Sequence, residues 1–233
     1  PLVSVTFLSK FCLNLGGTEI LIAVPLMIGA AIAGALTGRM KIEPVRFALF
    51  LVMVAVLCAE QVFAVKQFQT TSLILLLALH LTYIFTLKHV GAAEDHFRRI
   101  SNLALFFAIC GIAQYFGQYV VGARFAYPIE HFTPQSVLTH GYNYLHPLSY
   151  GSPYYKANGI FLLEPSYFSQ MLSTGVTLEM LGARRKLRLA IYLVGFGVSF
   201  SGTGLIMLTT SMLTLLLACQ ALFDLFVAGS ALD

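Results

Sequence analysis

The sequence has no tryptophan and little charge: Asp, Glu, Lys and Arg make up 10% of its 233 residues, where a soluble domain carries about a quarter. So few charges cannot cover the surface of a globular protein this long, which argues against a water-exposed fold. Cysteine is sparse as well. Cys12, Cys58, Cys110 and Cys219 lie far apart in apolar runs, with no CxxC or Cys/His spacing, and read as small buried hydrophobes. There is no charged n-region followed by a cleavage site, no internal repeat and no low-complexity tract. The formal net charge of +4 is small, and no nucleic-acid partner is expected. His131, His140 and His146 have spacings that fit no compact metal motif, so no metal and no cofactor are expected.

What the chain does have is apolar sequence. Hydrophobic residues make up 58% and the mean hydropathy is +0.82. A spanning helix needs about 20 mostly apolar residues, and several such runs occur. They are Thr18 to Thr37, Phe47 to Val65, Thr70 to Leu87, Ile100 to Val121 and Pro165 to Leu181. The last stretch, Leu187 to Ala228, is too long for one straight helix, and Ser201-Gly202-Thr203-Gly204 divides it into a sixth and a seventh. The expectation is an all-α, polytopic transmembrane bundle of about six or seven spans, forming one integral membrane domain over 1–233. The chain opens on Pro1, and VSVTFLSKFCLN reads like the tail of a preceding helix, so a fragment is expected.

Lys and Arg set the orientation. Arg39, Lys41 and Arg46 follow the first span; Lys88, Arg98 and Arg99 follow the third; Arg184, Arg185, Lys186 and Arg188 follow the fifth. The opposite side holds Lys10, Lys66, Arg124 and Lys156. Ten basic residues against four place the first set in the cytoplasm. The wetter segment from Gly122 to Gly159 is then external, and the external, periplasmic loop as a whole covers 122–164.

That loop and its flanks hold nine of the eleven tyrosines, from Tyr115 to Tyr167, Tyr154 and Tyr155 among them. Two readings fit: an aromatic belt at one leaflet, or a sugar-binding surface of stacking rings with Asn143, Ser152 and Asn158 as polar neighbours. Glu164-Pro165-Ser166 has the form of a helix start, because proline suits the first helical position. Beyond it, Ser166, Gln170, Ser173, Thr174 and Thr177 recur at helical spacing. This stripe either bonds a neighbouring helix or lines a cavity shared with the fourth or sixth span. Glu164 caps the helix or acts as a functional carboxylate at its mouth. Gln114 and Gln118, like Tyr115 and Tyr119, sit one turn apart at the external end of the fourth span. Ser201 to Gly204 either turns tightly between helices or aims backbone N–H groups at an anion. His80 is placed mid-span in the third helix.

The run Tyr155-Lys156-Ala157-Asn158-Gly159-Ile160-Phe161-Leu162-Leu163-Glu164-Pro165-Ser166, with Phe168, Ser169 and Gln170, resembles the signature of O-antigen ligase and polymerase-like membrane proteins. With the following basic turn and Ser-Gly-Thr-Gly, it looks most like bacterial exopolysaccharide polymerases. The resemblance implies a GT-C-like glycosyltransferase of the bacterial inner membrane. Its substrate would be an undecaprenyl-pyrophosphate-linked oligosaccharide, and its partners membrane lipid and other polysaccharide-assembly proteins. Under that resemblance Glu164 and Lys156 are the catalytic candidates. Arg124, Asn158, Ser166, Gln170, Tyr154, Tyr155, Ser201, Gly202, Thr203 and Gly204 would bind substrate. Family members commonly carry Arg where this chain has Lys156, and ligases use a His in a later loop that is not identifiable here, which favours a polymerase. A polytopic transporter or lipid-linked glycan flippase is the other reading. It would need ionisable groups near mid-membrane, where only His80 and the Ser/Thr stripe qualify.

Overall fold

A computed structural model describes residues 6–15, 18–63, 70–87, 93–182 and 185–230. Lys66, Lys88 and Arg184 of the charge tally, and Val65 at the expected end of the second span, lie outside these residues. The fold is mostly helical. Among the described residues one helix stretch, Asp95–Val121, is long and apolar enough to cross a membrane, and Ala23–Leu36 and Gly202–Ala218 are apolar but shorter. The described residues fall into two compact units.

The first unit covers residues up to Glu94 together with Thr133–Gly141. Strands β1 (Cys12–Leu15) and β2 (Thr18–Leu21) form an antiparallel hairpin with Cys12 opposite Leu21. Thr18 therefore starts a strand, and helix α1 spans only Ala23–Leu36. Of the stretch expected to be the tail of a helix, residues 3–5 lie outside the described residues and 12–14 form most of β1. Each strand mixes apolar residues with polar ones (Asn14; Thr18 and Glu19), and so short a segment beside an apolar run does not by itself distinguish strand from helix. Thr139 N–H donates to the Lys10 carbonyl at 3.0 Å, which ties the 133–141 segment to the hairpin.

Strand β3 (Met40–Ile42) precedes α2 (Pro44–Phe63), which has proline at its first position. Glu43 caps α2 with its carboxylate, accepting the Arg46 N–H at 2.8 Å. Helix α3 covers Thr70–Leu81, and after a short 3-10 turn strand β4 (Phe85–Leu87) pairs with β3, Met40 opposite Leu87. The third expected span thus ends six residues early. His80 lies in the last turn of α3, not in the middle of a span.

The second unit contains Asp95–Phe132 and Tyr142 onward. Helix α4 (Ala93–Val121) ends at Gly122, whose φ of 85° turns the chain into the short helices α5 (Ala123–Ala126) and α6 (Pro128–Phe132). Helix α7 (Pro165–Leu181) has the bounds expected of the fifth span. Helix α8 (Lys186–Ser199) stops at Phe200, which sits in the left-handed region, and α9 (Gly202–Ser230) follows directly. The break therefore falls at the Ser-Gly-Thr-Gly sequence. Helix α7 packs on both α8 and α9. The core is built from Ala104, Phe107, Ala108, Phe168, Leu172 and Tyr192, all without exposed surface. Gly111 faces the Phe168 ring at a distance no Cβ would tolerate, so a small residue sets the closeness of α4 and α7.

Candidate functional site

Two helices begin side by side. Proline at its first position starts α7, and Glu164 before it is extended (φ −145°, ψ 164°). The half-buried Glu164 carboxylate does not cap its own helix. Its Oε1 accepts the Asn143 N–H at 2.9 Å and its Oε2 accepts the Ser166 hydroxyl at 3.2 Å. Ser169, fully buried, donates to the Ser166 carbonyl at 2.8 Å and accepts the Gly204 N–H at 3.0 Å. Thr203 Oγ1 lies 3.2 Å from Ser169 Oγ, 2.9 Å from Ser201 Oγ and 3.4 Å from the Ser166 carbonyl. A Cβ on Gly204 would stand 2.4 Å from the Ser169 carbonyl group, so only glycine permits this crossing. The positive ends of two helix dipoles are thus held together by hydroxyls, with one carboxylate beside them.

A second network fixes the loop that leads to α7. Three successive backbone N–H groups, of Asn158, Gly159 and Ile160, converge on Gln114 Oε1 at 3.0, 3.1 and 3.3 Å. Gly159 and Ile160 both have positive φ, 72° and 68°. This conformation disfavours a β-branched residue, so the convergence on Gln114 is what stabilises it. The Asn158 amide is fully used: it accepts from Gln114 Nε2 at 2.9 Å and donates to Glu130 Oε1 at 2.8 Å and to the Tyr144 carbonyl at 3.2 Å. One turn along α4, Gln118 pairs with both backbone groups of Tyr155, at 2.8 and 3.0 Å. The Tyr127 hydroxyl reaches the Tyr155 and Lys156 carbonyls, each at 3.0 Å. Burial first, then the Glu130 charge, raises the Tyr127 pKa well above the ordinary phenol range, so it stays a neutral donor.

An exposed aromatic row connects the two networks. Tyr154 lies 4.5 Å from Tyr119, Tyr119 lies 5.6 Å from Tyr115, and Tyr115 lies 5.9 Å from Phe200, centroid to centroid. Phe200 immediately precedes Ser201. Tyr119, Tyr154 and Phe200 are exposed.

The structure therefore brings Glu164, Ser166, Ser201, Gly202, Thr203 and Gly204 into one group. Tyr154, Tyr155, Lys156 and Asn158 form another along the row. Lys156 is half-buried, its main chain is held by the His146 carbonyl at 2.8 Å, and its ammonium has no bonded partner among the described residues. Arg124 joins neither group: it is exposed and stacks 5.3 Å over Phe132. Gln170 continues along α7, where its carbonyl accepts the Thr174 hydroxyl at 3.1 Å.

Of the α7 stripe only Thr177 lines a groove, of about 430 Å³, and the other wall is α9 rather than the fourth or sixth span; Ser166, Gln170, Ser173 and Thr174 do not line it. Thr177 lines it with Met207, Thr210, Ser211, Thr214 and Leu215. The Ser173 hydroxyl is fully buried with no hydrogen-bond partner.

Sequence reasoning placed Gln114 and Gln118 correctly on one face but not against the loop backbone, and it missed Glu130. It also missed Glu179 at the far end of α7. That carboxylate is buried, receives Arg185 Nε at 3.0 Å and Nη2 at 2.5 Å, and accepts the Ser101 hydroxyl at 2.7 Å. Arg188 bridges to Asn102 at 2.8 Å, and the Tyr192 hydroxyl donates to the Ser101 carbonyl at 2.9 Å. The available signal was a lone carboxylate inside an apolar run with arginines just beyond it. No family model matches the chain, and no curated protein or solved structure matches it either.

Proposed function

We propose that the chain is a membrane-embedded glycosyltransferase. In this reading it polymerises or transfers undecaprenyl-pyrophosphate-linked glycan units during surface-polysaccharide assembly at the bacterial inner membrane, through a bundle of about six or seven spans. The observation that carries the reading is the aromatic row from Tyr154 to Phe200, which ends where the α7 and α9 N-termini meet beside Glu164. Exposed rings offer stacking faces to sugars, paired helix N-termini favour a pyrophosphate, and a carboxylate offers a proton acceptor. Membrane placement is supported by the apolar α4 and by large hydrophobics left uncovered, such as Val120 at 85% and Leu36 at 84% exposure.

The chemistry then runs as follows. An acceptor sugar hydroxyl attacks the anomeric carbon of the donor, and its proton passes to Glu164. The bond from that carbon to the pyrophosphate oxygen breaks, and the electron pair leaves with the polyprenyl pyrophosphate. Lys156 offsets the charge that builds on the leaving group, and N–H groups at Ser166, Gly202 and Thr203 add fixed dipoles; Arg124, stacked over Phe132, stands apart from both groups and has no part in the step. Ser201, Thr203 and Gln170 bond the glycan or its phosphate, while Tyr154 and Tyr155 stack on sugar. Asn158 acts through the loop it anchors.

The test is polymer length on a gel, with membrane protein level as control. Glu164→Gln keeps shape and removes the base, and a loss of about 10²- to 10⁴-fold in rate is expected. Lys156→Arg should retain polymer and Lys156→Ala should not. Normal-length polymer from Glu164→Gln at normal expression leaves Glu164 as a helix-start residue and sinks the catalytic role.

A further inference from the structure

The first unit has a cavity of about 540 Å³ lined by Arg46, Leu49, Phe50, Met53, His80 and Tyr83. Its size lies within the range of small-molecule sites. Arg46, Leu49, Phe50 and Met53 recur at i, i+3, i+4 and i+7 on α2, so they form one strip, charged at its start and apolar for the next two turns. The facing wall comes from the last turn of α3 and the 3-10 turn after it. His80 Nδ1 is 2.9 Å from the Leu76 carbonyl. A carbonyl only accepts, so Nδ1 donates to it; the lone pair then left on Nε2 offers an anion no hydrogen bond, and Arg46 and Tyr83 are the donors. The Arg46 guanidinium has no ion pair among the described residues, because Glu43 is bonded to the Arg46 backbone N–H. Arg39 and Lys41 lie at the same end, in the turn and strand that lead into α2.

We infer that this cavity holds an anionic membrane phospholipid, its phosphate on Arg46 and Tyr83 beside His80, and an acyl chain along Leu49, Phe50 and Met53. The polarity of the strip selects the class of ligand. A planar guanidinium is suited to a phosphate, and free phosphate would leave the apolar two-thirds of the strip uncovered. A fatty chain alone would leave Arg46 without a counter-charge. Arg39, Lys41 and Arg46 against Glu43 leave this end positive, which favours a headgroup with net negative charge. Arg, His and Tyr beside an apolar strip also match the order of groups met on passing from headgroup to hydrocarbon.

The inference rests on the membrane part of the proposed function and not on glycosyl transfer. The full protein, purified in detergent, is titrated with phosphatidylglycerol and with phosphatidylcholine, and bound lipid is counted by native mass spectrometry. Phosphatidylglycerol should bind about tenfold more tightly, because both lipids offer Arg46 a phosphate but phosphatidylcholine adds an ammonium that the positive end repels. Arg46→Ala should bring it down to the phosphatidylcholine level, Arg46→Lys should keep part of the preference, and millimolar inorganic phosphate should not displace the lipid. Equal binding of both lipids, an Arg46→Ala variant that binds like wild type, or full displacement by inorganic phosphate would overturn the site alone. A protein that stays dissolved without detergent and retains no lipid of either kind overturns the membrane placement, and this site with it.

Discussion

Two polar clusters sit at opposite ends of α4, about 20 Å apart along its axis, and they are built in different ways. Near the C-terminal end of α4, Gln114, Gln118 and Tyr127 direct their polar groups chiefly to the backbone of the 155–160 loop. Near the other end, Glu179, Arg185, Arg188, Ser101 and Asn102 bond side chain to side chain. The first cluster gives an irregular segment a single conformation. The second clamps the starts of α4 and α8 to the end of α7. A loop with no ladder of its own needs donors and acceptors aimed at its main chain, whereas helices already satisfy theirs and need only to be held apart at a fixed distance. The groups of the proposed mechanism sit away from the charge clamp: Lys156 lies in the loop held by amides, and Glu164 lies where hydroxyls join the starts of α7 and α9.

The comparison can be broken at each end. The largest effect is expected from Glu179→Ala. It leaves Arg188, Ser101 and part of Arg185 without their shared acceptor. Removing one partner of a buried pair costs about 3–5 kcal/mol, toward the lower figure here because Arg185 is partly exposed. Equilibrium unfolding in mixed micelles reads this, and a loss under about 1 kcal/mol would show that the clamp is ornamental. Gln114→Ala comes next, at about 3 kcal/mol, because three N–H groups and the Asn158 amide lose a buried partner. It should also abolish polymer at temperatures where the protein remains folded, which Glu179→Ala should not do while folded. If the two variants lose activity in parallel with stability, the division between loop-holding and helix-clamping fails. Gly204→Ala is expected to cost about 2 kcal/mol through overpacking at the α7–α9 crossing, since the obstacle is the Ser169 backbone and not a movable side chain.

Parts of this arrangement were legible in the sequence. Pro165 marked the start of α7, and Ser-Gly-Thr-Gly marked the start of α9, because proline and glycine act locally. The one-turn spacing of Gln114 and Gln118 placed them on a common face. Their partners were not legible, because the bonded backbone lies 37 to 46 residues further on and carries no periodic signal. Glu179 was hidden by the apolar average around it. The ends of α1 and α3 were misjudged because Thr18–Leu21 and Phe85–Leu87 are short segments beside apolar runs, and only pairing with Cys12–Leu15 and Met40–Ile42 makes them strands. The aromatic row was visible only as a high count of tyrosine. Phe200, its last member, lies in the turn between α8 and α9.

In the proposed mechanism glycosyl transfer occurs where α7 and α9 begin, with Glu164 taking the proton. The direct measurement is release of polyprenyl pyrophosphate from a lipid-linked oligosaccharide donor by the purified protein in vesicles, with wild type and Glu164→Gln compared at equal incorporation. Wild type should release polyprenyl pyrophosphate only when an acceptor glycan is present, and the rate should fall by at least about 10²-fold in the variant. Acceptor-dependent release at the same rate from both proteins would contradict the proposed mechanism.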